Sequence, residues 1–218
     1  MTAQEALKVA LRNVLGPNAR SHGYKGSAPT WRKSNASGDW AVVNVQSSSW
    51  STAERLRCVV NLAVAPEPWL RWQRERLGAG MPKSVTEYLG LYRERLHPAE
   101  APAGTDGWWE VRDAESAVSA ATDIVAQLEH AWWPVLDRLL TPGGMLQQVG
   151  NGDLGYMKRP NHGVFFARAG ALLRMDQGPS DALEADLQTA LDFCMPEEKE
   201  NAEQFDAWVR EQARRGAS

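Results

Sequence analysis

The chain is short of most things that announce a chemistry. Among its 218 residues there are two cysteines and four histidines. His22, His97, His130 and His162 are scattered without the close spacing of a metal site, so no metal ligands are expected. There is no Gly-x-Ser-x-Gly elbow, and the glycine-rich stretch 150–155 follows no strand and lacks the lysine of a phosphate-binding loop, so it reads as a flexible loop. No run of about 18 apolar residues occurs, and the N-terminal stretch has neither the basic start nor the continuous apolar core of an export signal. Membrane association is therefore not expected. A net charge of −3 and a pI near 5.9 give no broad attraction for a phosphate backbone, so nucleic acid is not expected as a partner. Cys58 and Cys194 stand in apolar periodic surroundings, which predicts reduced, buried thiols and a cytoplasmic protein. No cofactor is implied.

What the chain does have is tryptophan, 10 residues where average usage supplies roughly three, so large fillers of core or interface are expected. It also has one dominant pattern, residues 39–66, reading DWAVVNVQSSSWSTAERLRCVVNLAVAP. Two β-rich runs, 40–46 and 56–64, flank a polar connector, which predicts an antiparallel hairpin with a longer loop. Period-2 alternation turns Ala41, Val43, Val45, Leu56, Cys58, Val60, Leu62 and Val64 toward the core. The other side carries Trp40, Val42, Asn44 and Gln46 on one strand and Arg57, Val59, Asn61 and Ala63 on the next. A face open only to water would carry more charge, and a face wholly under a helix would avoid amides.

Around the hairpin, apolar spacing predicts a helix over 2–15 with Thr2 as its cap and Gly16-Pro17 as its stop. A strand is expected at 30–33, a short helix at 67–77 ending at Gly78, a short helix over 84–96, a loop at 97–107 and a strand at 108–112. Asp113 caps a long helix with Ala117, Ala121, Ile124, Val125, Leu128, Trp132, Val135 and Leu139 inward, kinked by Pro134. Helices at 164–175 and 180–193 form a helical hairpin, and a last amphipathic helix spans 197–214. The arginines 71, 74 and 76, with Glu75 among them, read as a solvated helix face. The adjacent Glu129 and His130 diverge by about 100° on a helix and read as surface groups. The fold class expected is α+β: a small, mainly antiparallel sheet covered by helices, followed by a helical C-terminal region. The division expected is an α+β domain over 1–140 with a helical extension over 141–218 packed on it.

The order of these elements resembles the bacterial family called domain of unknown function 4304. The resemblance is carried by LGPNARSHGYKGSAPTWRK, by the run Val45 to Ser48 with Trp50 beyond it, and by Val60 to Leu62; Cys58 stands where a phenylalanine is more typical. It covers the N-terminal half and implies an α+β domain with no established activity.

One constellation remains for function. Asn44, Gln46, Arg57 and Asn61, with Trp31 and Trp40 as flat apolar walls, offer fixed donors and acceptors that suit a carboxylate, a nucleotide edge, a peptide backbone or a sugar. The bland alternative is that these side chains bond the connecting loop and a packed helix. The expected function is a non-catalytic binding protein with a protein partner or a small polar ligand. The alternative is an enzyme acting on a small molecule over this face.

Overall fold

The computed structural model describes residues 1–102 and 105–216, so positions 103 and 104 of the expected 97–107 loop and the last two of the C-terminal extension lie outside the described residues. Helix α1 (Ala3–Ala10) opens with a reciprocal cap: Thr2 Oγ1 accepts from the Glu5 N–H at 3.2 Å, and the Glu5 carboxylate accepts from the Thr2 N–H at 2.8 Å. Gly16-Pro17 does not stop the helix as expected. A π-helical turn at Leu11–Leu15 intervenes, in which the Gly16 N–H reaches back to the Leu11 carbonyl, and α2 (Gly16–Ser21) follows. The ladder has already slipped by one residue, so Pro17 falls in a first turn, where a missing N–H costs little.

Strands β1 (Lys25–Ser27), β2 (Thr30–Ser34), β3 (Trp40–Ser47) and β4 (Leu56–Ala65) pair antiparallel in sequence, and the β3–β4 hairpin sets Asn44 opposite Asn61. Helix α3 (Glu67–Leu77) ends at Gly78, whose φ of 50° no side chain adopts readily. On that helix Arg71 pairs with Asp176 and Arg74 with Glu67, while Arg76 bonds Gln73. Residues 84–96 are not the expected helix. A 3-10 turn at Glu87–Leu89 leads into β5 (Tyr92–Leu96), which pairs with β4 over Val60–Val64, while β6 (Trp109–Val111) pairs with β4 over Leu56–Cys58. Buried β4 needs partners for its backbone on both sides, and that requirement outweighs the weak helical spacing of Val85, Leu89 and Tyr92.

Asp113 caps α4 (Ala114–Gln127) by accepting from the Ser116 N–H at 2.8 Å. A second π-helical turn, Leu128–Trp132, precedes α5 (Trp133–Leu139), with Pro134 again in a first turn. The extra residue rotates the apolar stripe. Trp133 and Leu136 are buried in place of the expected Trp132 and Val135, which are half-buried. Helix α6 (Pro142–Gly150) is followed by strands β7 (Asp153–Leu154) and β8 (Met157–Lys158), so the glycine-rich stretch is part of a small hairpin and not a flexible loop. It docks on the outer edge of β5, where the Tyr156 N–H donates to the Arg93 carbonyl at 2.9 Å. Helices α7 (Gly163–Arg174) and α8 (Asp181–Asp192) form the expected helical hairpin, and α9 (Lys199–Gly216) closes the described chain.

The main core lies between the inner face of the sheet and α1, α4 and α5, reaching Met145 of α6 and Phe166, Ala169 and Leu173 of α7. The other side of α7, Ala171 and Leu172, builds a second core with Leu187, Phe205 and Val209, against which Trp72 and Trp208 pack. Among the described residues no helix is long and apolar enough to cross a membrane.

Candidate functional site

Alternation across the paired strands puts Thr30 and Arg32 of β2, Trp40, Val42, Asn44 and Gln46 of β3, Arg57, Val59, Asn61 and Ala63 of β4, and Arg93 and Arg95 of β5 on the outer face. Trp31 is not among them. It pairs with Val43, points inward and is fully buried in the main core, so it cannot wall this face as expected.

The outer face has two ends. At one, Trp40 packs with Ala65, Leu70, Leu89, Trp69, Met81 and Val85. Residues 85–90 cross it: the Arg32 Nε–H donates to the Val85 carbonyl at 2.6 Å and the Trp69 indole N–H to the Leu89 carbonyl at 2.8 Å. The small Ala63 permits this approach, since even a Cβ on Gly90 would stand 2.7 Å from that of Ala63. At the other end Gln46 and Arg57 are exposed, Asn44 is half-buried and Asn61 is buried.

The amides are satisfied by their neighbours. Asn44 Nδ2 donates to Thr30 Oγ1 at 2.8 Å, and Asn61 Nδ2 donates to Gln46 Oε1 at 2.7 Å while its Oδ1 accepts from Arg95 Nε at 3.2 Å. Neither the connecting loop nor a helix takes these bonds, contrary to the bland expectation. Backbone groups of Arg57 hold the loop instead: the Ser48 N–H donates to the Arg57 carbonyl at 2.8 Å and the Arg57 N–H to Ser51 Oγ at 3.1 Å. The Arg57 guanidinium itself has no partner among the described residues. Beside it Glu110 sits between Arg55 and Arg112, each donating from Nε at 2.7 Å, and those bonds, Arg55 first, hold its carboxyl below the usual range. Tyr156 stacks near two more guanidinia, with Arg93 5.4 Å and Arg95 5.9 Å from its ring centroid. This end of the sheet therefore presents a cluster of guanidinium and amide donors around Glu110 and Tyr156.

Sequence reasoning missed Thr30, Arg32, Arg93, Arg95 and Tyr156. Alternation about Trp31 could have exposed the first two. The arginines of β5 were hidden by the helix expected there, and Tyr156 carries no signal because only docking of β7 and β8 brings it close.

Catalytic groups elsewhere are no better assembled. Among the described residues no three His, Cys, Asp or Glu side chains are placed to hold a metal ion. Glu129 and His130 are both exposed, as expected; Glu129 accepts from Asn18 Nδ2 at 2.5 Å and contacts His22 Nε2 at 2.9 Å, and the His22 imidazole stacks on Trp133 at 4.9 Å. Cys194 is half-buried, not buried, and lies near the Leu191 carbonyl at the end of α8. Cys58 is buried, and burial pushes its thiol up to about 12, which leaves almost no thiolate at neutral pH. Iodoacetamide at pH 8 is therefore expected to leave Cys58 unmodified in the native chain and to label it in denaturant, as read by mass spectrometry; native labelling would contradict this environment. The folded chain keeps this thiol protonated where the unfolded chain ionises it, so the site lowers stability as pH rises from 9.0 toward about 12.

The sheet, with helices packed on its inner face, puts the chain in the α+β class. The model of a family described as domain of unknown function (DUF4304) matches residues 15–138, more than half of the sequence, and the chain belongs to that family. No curated protein and no solved structure matches it.

Proposed function

We propose that this is a non-catalytic binding protein that takes an acidic segment of a protein partner on the open end of the outer face. The observation that carries this reading is the Arg57 guanidinium, exposed and without a partner among the described residues, beside the arginine pairs of Glu110 and Tyr156. A planar fork of this kind grips carboxylates with two parallel bonds. Asn44 and Asn61 serve as rigid supports, since their amides are already engaged, while the outward N–H groups of Gln46 remain to fix orientation. A donor-rich strand face suits a partner surface better than a small substrate. Two free thiols support a cytoplasmic setting, and a net negative chain favours a protein over nucleic acid.

Arg57→Ala is expected to leave the melting temperature within about 2 °C of wild type, because an exposed guanidinium contributes little to folding. Arg57→Glu should deplete a co-purifying partner roughly tenfold by quantitative mass spectrometry from native lysate, a loss of about 1.4 kcal/mol. A fall of many degrees in either melt would make Arg57 structural, and partner recovery equal to wild type would reject the face. Turnover of a small molecule that Arg57→Ala abolishes would turn the reading to the enzyme.

A further inference from the structure

A groove runs along α1 and the tip of the β3–β4 hairpin, away from the outer face. Its centre is a cavity of about 420 Å³ with Leu7, Leu11, Val45 and Leu56 as an apolar floor and Gln4 and Lys8 at its rim. One neighbouring cavity shares Ser47 and Leu56 and extends past Ser48 and Thr52; another shares Lys8 and reaches Arg12.

The same groove exposes a strand edge. Pairing between β2 and β3 stops at Thr30 and Asn44; beyond it the Val45 N–H donates to the Pro29 carbonyl at 2.9 Å. Proline has no N–H to return, so the Val45 carbonyl is left without that partner. On the other side of β3 the Ser48 N–H donates to Arg57, which makes positions 48 and 57 a hydrogen-bonded pair and Ser47 and Cys58 a non-bonded one. The N–H and C=O of Ser47 then turn away from β4, into the groove. Pro29 thus closes the edge at Val45, and Ser47, exposed just beyond it, offers both a backbone N–H and a C=O to an added strand.

Two features describe the occupant. Lys8 makes no ion pair among the described residues and the Arg12 side chain bonds Asn13, while Glu5, the one acid lining the same cavity, accepts from the Thr2 N–H, so two cations against one carboxylate leave the rim net positive. Trp50 is 88 % exposed in the hairpin loop, between Ser48 and Ser51 of the neighbouring cavity, and exposed tryptophan is a residue type that dominates binding energy at interfaces. We infer that an extended, acidic segment of a protein partner adds as a strand to the edge of β3 left open at Ser47, with one apolar side chain in the cavity and its carboxylates against Lys8 and Arg12. Backbone bonds supply the register and the cavity supplies selectivity. This inference does not rest on the outer-face reading, since the two surfaces use different residues.

The test is selection of displayed random heptapeptides on the immobilised full chain, followed by titration of the recovered peptides as synthetic compounds. Recovered peptides are expected to carry an apolar residue flanked by aspartate or glutamate and to shift the Ser47 amide resonance. Lys8→Glu, Trp50→Ala and Ser47→Pro, the last of which removes an outward N–H, should each weaken binding about tenfold, whereas Lys199→Glu on α9 should not. Should Ser47→Pro fail to fold, a peptide N-methylated on its central backbone makes the same discrimination. No enrichment, a basic consensus, undiminished binding of the N-methylated peptide, or sedimentation showing this edge occupied by a second copy of the chain would each overturn the proposal.

Discussion

Trp31→Ala lowers the melting temperature by roughly 6 to 20 °C and does so without reference to any ligand. The side chain is fully buried in the main core, on the face of β2 that Val43 shares. Removing a buried tryptophan costs about 3–5 kcal/mol, because the lost transfer energy is joined by the cavity left among neighbours that cannot collapse. In a chain of this size each kcal/mol shifts the midpoint by about 2–4 °C. Trp40→Ala, at a half-buried position under residues 81–89, should cost distinctly less. Thermal melts followed by circular dichroism measure both. A shift below about 2 °C for Trp31→Ala would show that the β2 face has been assigned wrongly.

Asp39→Ala is expected to be the most damaging change at a polar position. Asp39 is 6 % exposed and ties three segments together: its carboxylate accepts from Asn35 Nδ2 at 2.7 Å and from the Glu67 N–H at 2.8 Å, while Asn35 Nδ2 also donates to the Leu140 carbonyl at 2.7 Å. The Glu67 N–H belongs to the first turn of α3, whose leading donors have no helical partners of their own. Each hydrogen bond to a charged group is worth about 1.5–3 kcal/mol, so alanine should cost at least about 3 kcal/mol. Asp39→Asn keeps an oxygen for Glu67 but turns an NH₂ toward the amide donor of Asn35, which predicts roughly half that loss. Denaturant titrations with unchanged slope would measure both. If asparagine matches aspartate, the carboxylate charge has no part in the junction.

Much of this architecture was legible in the pattern of residues. The β3–β4 hairpin followed from two β-rich runs and a polar connector, and its inner face from strict alternation, because a strand buried on one side leaves little freedom in which residues point inward. Thr2 and Asp113 are caps that satisfy donors within a few residues. Such local chemistry is written in sequence. The two prolines were harder, since Pro17 and Pro134 were expected to stop or kink helices and instead follow π-helical turns that absorb them. Nothing local distinguishes a stop from a one-residue slip; the choice depends on whether packing repays the slip, as it does where Trp133 enters the core beside Tyr24.

The candidate site divides in the same way. Alternation by itself brought Asn44, Gln46, Arg57 and Asn61 to one face, and that face exists. By itself the sequence determined the α+β class, the central hairpin, the helix caps and the side of the sheet on which the amides stand, all of which arise from periodicity and short-range hydrogen bonding. Only the tertiary structure decided that 92–96 is a strand, that Trp31 belongs to the core, that Arg95 rather than a loop completes Asn61, and that α1 leaves a groove beside the edge at Ser47. Each of these depends on partners distant in sequence, whose pairing and burial energies are larger than the local preferences they override.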